Sequence, residues 1–200
     1  MADYSKPDYY SIRAQKEGYP ARSVYKLKEI DEKFGLVKGG AIKVLDLGAT
    51  PGSWSLYLLR KKALLVSVDL APLSRQYDRG LFDKPDFIFI EGDFTQEKIR
   101  EAILSHGPYR LLVSDAAPAT TGNRSIDSLR SLELAETALA FAESALEKGG
   151  NLVVKVFQGG DTGALLKEIR LLFETAKSFK PKACRSESFE TYYIGLGKKT

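Results

Sequence analysis

Apolar positions change their spacing along this chain, and the change separates a helical entry from a strand–helix alternation. Over residues 22–34, Val24, Leu27, Ile30 and Phe34 recur every three or four positions, which predicts a helix with one apolar stripe. Short apolar runs then alternate with longer amphipathic ones. The runs predict strands over 42–47, 64–68, 87–90, 111–114 and 152–157. Helices are predicted from 51–59, 96–104, 125–146 and 164–173, with Thr95 capping the second and Gly149-Gly150 stopping the third. The strand runs lack clean apolar–polar alternation, as in a sheet covered by helices on both faces. An α/β sandwich is expected rather than a barrel, since only about five crossover units fit. The last stretch breaks the rhythm: 178–182 and 191–196 read as an antiparallel pair at a sheet edge, connected through 185–188. Ahead of it all, residues 1–21 form a polar arm or short helix in which Tyr4, Tyr9, Tyr10 and Tyr19 lie among Lys6, Arg13 and Lys16. Gly35 and the Gly39-Gly40 pair punctuate the junction with the first strand. The 200 residues are expected to make one domain, 1–200.

Two of the buried strands end in a charge. Leu111-Leu112-Val113-Ser114 runs into Asp115, and Asn151-Leu152-Val153-Val154 runs into Lys155. A charge at such a place is costly unless it is paired or stands at a functional edge. In doubly wound sheets the ligand edge is the carboxyl end of the strands, where both residues fall. Lys26 on the early helix and Glu190 near the last strand are the candidate partners.

The strongest local motif is Val44-Leu45-Asp46-Leu47-Gly48-Ala49-Thr50-Pro51-Gly52-Ser53-Trp54. Gly48 permits a tight turn after the strand, Gly52 permits close approach of backbone to a ligand, and Pro51 suits a first helical turn. Asp46 can accept hydrogen bonds from loop amides or fix a cationic group. The motif is neither the Gly-x-Gly-x-x-Gly dinucleotide fingerprint nor a Gly-Lys-Ser/Thr phosphate loop. Instead, acids follow successive strands: Asp69 is placed to accept from ribose hydroxyls, and Asp93, before Phe94, to meet an adenine amino group. A nucleoside pocket with carboxylates where phosphate-binding amides would otherwise stand suits S-adenosylmethionine. Methyl transfer to a ribose hydroxyl would need the acceptor oxygen oriented and its developing charge stabilised. Lys155 can steer that oxygen and, when neutral, take its proton. Asp115 and Glu190 would hold the ammonium, and Lys26 would complete the charge network and position the ribose or an adjacent phosphate.

Composition narrows the setting. The chain carries one histidine and one cysteine, which leaves no disulfide and little support for zinc or thiol chemistry; His106 beside Gly107-Pro108 reads as a turn residue. The start of the chain lacks a signal-peptide pattern and no stretch approaches a membrane span, so a cytoplasmic protein with no membrane partner is expected. The net charge of +4 is unevenly spread. Residues 1–43 carry nine basic against six acidic side chains, and 177–200 carry six against two. Basic ends on an acid-leaning middle fit an enzyme that grips a polyanion. Arg13, Lys16, Arg22, Lys28, Lys180, Lys182 and Arg185 are the candidate phosphate contacts. Tyr9, Tyr10 and Tyr19 either stack on bases or pack the arm onto the domain.

The same stretches resemble the FtsJ/RrmJ family of ribosomal RNA 2′-O-ribose methyltransferases. The resemblance rests on Arg22-Ser23-Val24-Tyr25-Lys26-Leu27, the Asp46–Trp54 motif, Gly92-Asp93-Phe94, Ser114-Asp115-Ala116-Ala117-Pro118, Val154-Lys155-Val156-Phe157-Gln158-Gly159 and the tail through Tyr193. It covers the chain from about Asp8 to Gly197. It implies a Rossmann-like class I methyltransferase, with a seven-stranded, mostly parallel sheet whose last strand is antiparallel. It also implies S-adenosylmethionine as cofactor, bound through Asp46, Gly48, Ala49, Pro51, Gly52, Ser53, Trp54, Asp69, Asp93, Phe94 and Asp115. Lys26, Asp115, Lys155 and Glu190 are the implied catalytic tetrad. The implied substrate is a uridine of large-subunit ribosomal RNA, within the large ribosomal subunit, with the enzyme a monomer. Ser53 stands where the family pattern has a second glycine, and Cys184 where it has serine. Glu187 competes with Glu190 for the fourth catalytic place, and spacing to the last strand favours Glu190. The alternatives are a transfer RNA specificity and a non-catalytic RNA-binding assembly factor.

Overall fold

A computed structural model of the chain describes residues 8–38, 41–159 and 162–200. The Gly39-Gly40 break and the start of the arm, with Tyr4 and Lys6, lie outside the described residues. Helix α1 (Tyr9–Lys16) is capped by the Asp8 carboxylate, which accepts from the Ser11 amide at 2.9 Å. Helix α2 (Val24–Phe34) follows, then β1 (Lys43–Leu47), α3 (Ser53–Arg60), β2 (Leu64–Asp69), β3 (Phe87–Glu91), α4 (Glu97–Ser105) and β4 (Tyr109–Ser114). Helix α5 (Arg124–Ala145), β5 (Leu146–Phe157), α6 (Thr162–Leu172), β6 (Phe173–Phe179) and β7 (Glu190–Lys198) complete the chain.

The strands form one seven-stranded sheet in the order β3-β2-β1-β4-β5-β7-β6. The pairs from β3 to β5 are parallel, and β7 runs antiparallel to both β5 and β6. The expected mostly parallel sheet with its last strand reversed is therefore present. Strand order reverses between β1 and β4, where ligands bind in open α/β sheets.

Each strand serves two cores because successive side chains point to opposite faces. Val44, Leu111, Val113, Val153 and Ile194 pack with Leu27, Ile30, Trp54 and Leu58 from α2 and α3. Leu45, Leu112, Leu152, Val154 and Val156 pack with Ile103, Phe141, Ala142, Leu165 and Ile169 from α4, α5 and α6. This parity also sorts the polar residues. Asp46, Lys155, Glu190 and Tyr192 fall on the α2–α3 face, two or four positions along their strands from Val44, Val153 and Ile194.

Four local expectations are corrected. Strand β6 begins at Phe173, so α6 ends earlier than expected and the edge pair is 173–179 with 190–198. Phe173 is fully buried against Gly195 of β7, and this tertiary contact outweighs its place at the end of an apolar helical stripe. The expected antiparallel pair at the sheet edge is otherwise present, with β6 as the edge strand and β7 beside β5. Helix α5 stops at Ala145, and Leu146 already pairs with Tyr109 of β4; the register then shifts so that Leu111 meets Asn151. Pro51 is outside α3, whose N-cap is Gly52 at φ 104°. Thr95 does not cap α4, where Gln96 holds that place. Its amide and hydroxyl instead donate to Asp93 Oδ1 at 2.9 and 2.7 Å, a local turn that competes with capping.

At the end of β1 the chain turns through Gly48 at φ 75°, with its amide donating to the Val68 carbonyl at 2.9 Å. A Cβ there would lie 2.5 Å from Ala116 Cα, which is backbone of the loop after β4 and cannot yield cheaply. Gly48→Ala is expected to cost about 2 kcal/mol or more, from left-handed strain plus the clash. A urea midpoint matching that of the parent protein would contradict this.

Candidate active site

Strand parity and register bring four charges together at the carboxyl edge of the sheet. In the β5–β7 ladder Lys155 stands opposite Tyr192, and Phe157 opposite Glu190. Asp115 follows the last residue of β4, next to β5. Lys155 Nζ lies 3.0 Å from Asp115 Oδ1 and also donates to the Asp115 backbone carbonyl. Lys26, on the first turn of α2, donates to Glu190 Oε2 at 2.8 Å across 164 residues of sequence. Glu187 is exposed and accepts from the Ser186 hydroxyl, so Glu190 is the acid that meets Lys26. A fifth member, not singled out in the sequence, is Tyr192: its hydroxyl donates to Asp115 Oδ1 at 2.7 Å. Its signal was its spacing, two residues beyond Glu190 on the same face of one strand.

The electrostatics follow from burial set against pairing. Burial works to raise the Asp115 carboxyl, but Lys155, Lys26 and the Tyr192 hydroxyl together hold it below its ordinary value. Burial works to lower the Lys26 ammonium, and Asp115 and Glu190 override it, so its pKa is raised. Burial, with the charges of Asp115 and Glu190, pushes the Tyr192 phenol well above its usual value, so it remains a hydrogen-bond donor. Burial pushes the Cys184 thiol, close to Glu190, up to about 12, which leaves no thiolate nucleophile there.

A cleft of about 670 Å³ opens beside this cluster at the reversal of strand order. Gly48, Asp69, Asp93, Phe94 and Asp115, all candidates from sequence, line it. Sequence reading missed Thr50, Leu70, Ala116–Ala119, and the α5 side chains Arg130, Glu133 and Leu134. The α5 residues carry no local motif and are delivered only by packing of that helix. Asp69 braces the cleft: Oδ2 accepts from the Thr50 amide at 2.9 Å and Oδ1 from the Ala71 amide at 3.0 Å. The loop-amide acceptor is thus Asp69, not Asp46.

The other motif residues lie behind the cleft. Asp46 is fully buried and accepts from the Ser55 hydroxyl at 2.7 Å. Ser53 accepts from the Ala21 amide at 2.8 Å and donates to the Ala21 carbonyl at 3.1 Å. Trp54 donates from Nε1 to the Ser23 carbonyl at 2.9 Å, and its ring lies 5.9 Å from that of Tyr192. Ala49, Pro51 and Gly52 shape the loop without lining the cleft. The serine in the glycine position therefore ties the segment before α2 to the start of α3.

The family model for FtsJ-like methyltransferases matches residues 19–198. The chain belongs to that family. It is 50% identical over 200 residues to ribosomal RNA large subunit methyltransferase E of Treponema denticola, covering 98% of this chain and 97% of that one. It is 45% identical to the protein of that name from Borrelia garinii, covering 96% and 97%. A crystal structure of a ribosomal RNA methyltransferase from Plasmodium falciparum superposes with a TM-score of 0.73 at 26% identity, over 90% of this chain and 98% of that one. A TehB-like S-adenosylmethionine-dependent methyltransferase from Corynebacterium glutamicum shares the fold at 18% identity and TM-score 0.56. The chain is accordingly an S-adenosylmethionine-dependent methyltransferase, and the cleft chemistry suits that cofactor. Carboxylates at the ends of β2, β3 and β4 offer acceptors to ribose and adenine donors, and compensate a cationic sulfonium. Leu70, Phe94 and Leu134 add apolar walls.

The basic residues proposed from sequence for phosphate are dispersed. Arg22 is tied to Asp8 and donates to the Ala183 carbonyl at 2.6 Å, so it joins the arm to the tail. Arg13 and Lys28 both pair with Glu17. Lys180 donates to the Ser188 carbonyl at 2.6 Å. Lys16, Lys182 and Arg185 are exposed, and Arg185 lines a smaller cleft of about 310 Å³ with Arg22, Lys26 and Glu190. Of the tyrosines, Tyr19 is buried beneath Arg60 and Lys28, Tyr10 packs on Tyr25, and Tyr9 is exposed. The packing alternative holds for Tyr19 and Tyr10.

Asp46 generates a stability prediction. Burial, with added repulsion from Asp115 and Asp69, pushes its carboxyl up to about 7 against the Ser55 hydrogen bond. A folded-state acid raised in this way contributes stability that is full below the ordinary carboxylate range and lost as pH rises through about 7. Each pKa unit is worth about 1.4 kcal/mol. The Tm of the protein is expected to fall between about pH 4 and pH 7 and to level off above, and Asp46→Asn to flatten that fall. Parallel Tm–pH curves for the two proteins would refute the assignment.

Proposed function

We propose that this chain transfers a methyl group from S-adenosylmethionine to a ribose 2′-hydroxyl of large-subunit ribosomal RNA, at a uridine. The observation that carries the reading is the pair of buried ammonium–carboxylate contacts, Lys155–Asp115 and Lys26–Glu190, meeting beside the cofactor cleft. The names of the relatives support large-subunit ribosomal RNA as the substrate, and the uridine is carried by the family resemblance alone. When bound, the cofactor offers an activated methyl on sulfur, so the leaving group needs little help. The protein's task is the acceptor oxygen.

Asp69 receives the cofactor ribose hydroxyls, and Asp93 faces the adenine. The Asp115 carboxylate and carbonyl fix Lys155 Nζ at one point. From there Lys155 orients the acceptor hydroxyl and, in its neutral form, takes the proton as the oxygen–methyl bond forms. Tyr192 keeps its own proton and steadies Asp115. Glu190 holds Lys26 where its charge stabilises the developing oxyanion or the adjacent phosphate. Lys16 and Lys182 supply exposed positive charge for the strand, Arg185 adds its charge at the smaller cleft beside Lys26, and Arg13, Arg22, Lys28 and Lys180 mainly shape the surface that carries it. The enzyme works as a cytoplasmic monomer on an assembled subunit; the single buried cysteine fits a reducing compartment.

The test is labelled-methyl transfer to large subunits, intact ribosomes, naked ribosomal RNA and transfer RNA, with the modified nucleotide mapped. Methyl incorporation only into transfer RNA would overturn the substrate, and RNA binding without any incorporation would favour an assembly factor. Lys155→Ala is expected to lower kcat by about 100-fold or more, while cofactor Kd by calorimetry stays within about twofold. Asp69→Ala should show the opposite pattern, a weakened cofactor Kd, because it loses both the ribose acceptor and the Thr50 brace. A fully active Lys155→Ala enzyme would sink the mechanism.

A further inference from the structure

A second cleft, about 680 Å³ in volume, opens between the first turn of α5 and the end of β5. The reaction described above uses none of the groups that line it: Arg124, Ser125, Ser128, Leu129, Gln158 and Phe189. Its aromatic wall is layered. The partly exposed Phe189 ring lies 4.7 Å from the buried Phe157 ring, and the exposed Arg124 guanidinium lies over Phe189 at 4.9 Å. Leu129, 58% exposed, forms an apolar lip, while Gln158 and the two serines contribute hydrogen-bonding groups.

The position of this wall relative to the catalytic amine is decisive. Phe157 stands opposite Glu190 in the β5–β7 register, and Phe189 directly precedes Glu190. Lys155 Nζ is 6.0 Å from the centre of the Phe157 ring. The cleft therefore begins one ring away from the atom that addresses the ribose. A strand that presents a 2′-hydroxyl to Lys155 must be locally unpaired, and its neighbouring base then needs a surface to replace lost stacking. An aromatic ring backed by a second ring and faced by a guanidinium is such a surface, and a guanidinium plane is itself a stacking partner for bases. A peptide partner would gain little from an exposed arginine on the aromatic face, whereas an RNA strand brings its own phosphate to that charge.

We infer that the cleft lined by Phe189, Arg124 and Gln158 is a subsite for the base of the nucleotide flanking the methylated one. The base stacks against the Phe189–Arg124 pair, with the Gln158 amide at its edge. This inference rests on the ribose-methylation reading, and the experiment separates the two.

Phe189→Ala, Phe189→Leu and Phe189→Trp are compared with the parent enzyme for kcat, for KM toward the large subunit, and for cofactor Kd. Stacking of a base on an aromatic side chain is strong enough that F189A should raise KM about tenfold. F189L, which retains apolar packing but no ring, should raise it similarly, and F189W should restore it. Values of kcat and cofactor Kd should stay within about twofold of the parent throughout, since the change removes binding shared by ground and transition state. A parental KM in F189L would show that the ring only packs. A fall in kcat at constant KM would show that Phe189 only positions Glu190. Either result overturns the subsite. Independently of methylation, single-stranded oligouridylate should quench F189W fluorescence above the background of the buried Trp54 in the parent. Absence of that quenching overturns the subsite even if the parent methylates, while quenching by an enzyme that transfers no methyl to ribose would retain the subsite and overturn the function.

Discussion

The contact on which this structure depends is the ion pair between Asp115 and Lys155. An ammonium at the end of a central strand, only 7% exposed along its side chain, would be costly without a partner. Asp115 supplies two, its carboxylate and its own carbonyl, and Tyr192 adds a hydroxyl to the same carboxylate. Three strands, β4, β5 and β7, are thereby fastened at one point of the sheet's carboxyl edge. The reversed strand β7 matters because it carries both Tyr192 and Glu190 to the face where Lys26 waits on α2. The charge cluster is consequently a structural junction of the sheet.

A second tie connects this junction to the cofactor loop. Trp54 stacks near Tyr192 and bonds to Ser23, while Ser53 bonds to both sides of Ala21. Arg60, at the end of α3, bonds to the Gly18 carbonyl at 2.7 Å. The segment from 18 to 23 thus lies along α3, and it leads directly into the turn that bears Lys26. The loop after β1, the arm and the turn that bears Lys26 are held by one set of hydrogen bonds. This explains why side chains in the glycine-rich motif are spent on the scaffold, while the cleft is lined from the strand ends and from α5.

Much of this was legible in the residues. The charged strand ends, the Gly48 turn, the acids after β2 and β3, and the alternation of strand and helix all follow from spacing and burial cost. The fold and the kind of chemistry came with them. What misled were places where a local preference met a stronger distant contact. Phe173 continues a helical stripe but is claimed by β7. Thr95 is a good cap but is claimed by Asp93. Tyr19 in the polar arm, and Arg22 and Lys28 just beyond it, look like RNA-facing groups, yet each is engaged by the domain or by the arm's own acids.

The sequence by itself determined the element types, the motif positions and which residue types were available for chemistry, because each depends on near neighbours and on the period of the chain. Only the tertiary structure decided which charges meet. Glu190 rather than Glu187 pairs with Lys26 because β7 joins β5 in a register that turns every second side chain toward α2. Likewise α5 contributes Arg130, Glu133 and Leu134 to the cofactor cleft, and Arg124 to the aromatic cleft, only because of how that helix lies on the sheet. Contacts across 40 to 164 residues of chain, such as Lys155 to Asp115 and Lys26 to Glu190, are properties of register and packing. No window of the sequence contains them.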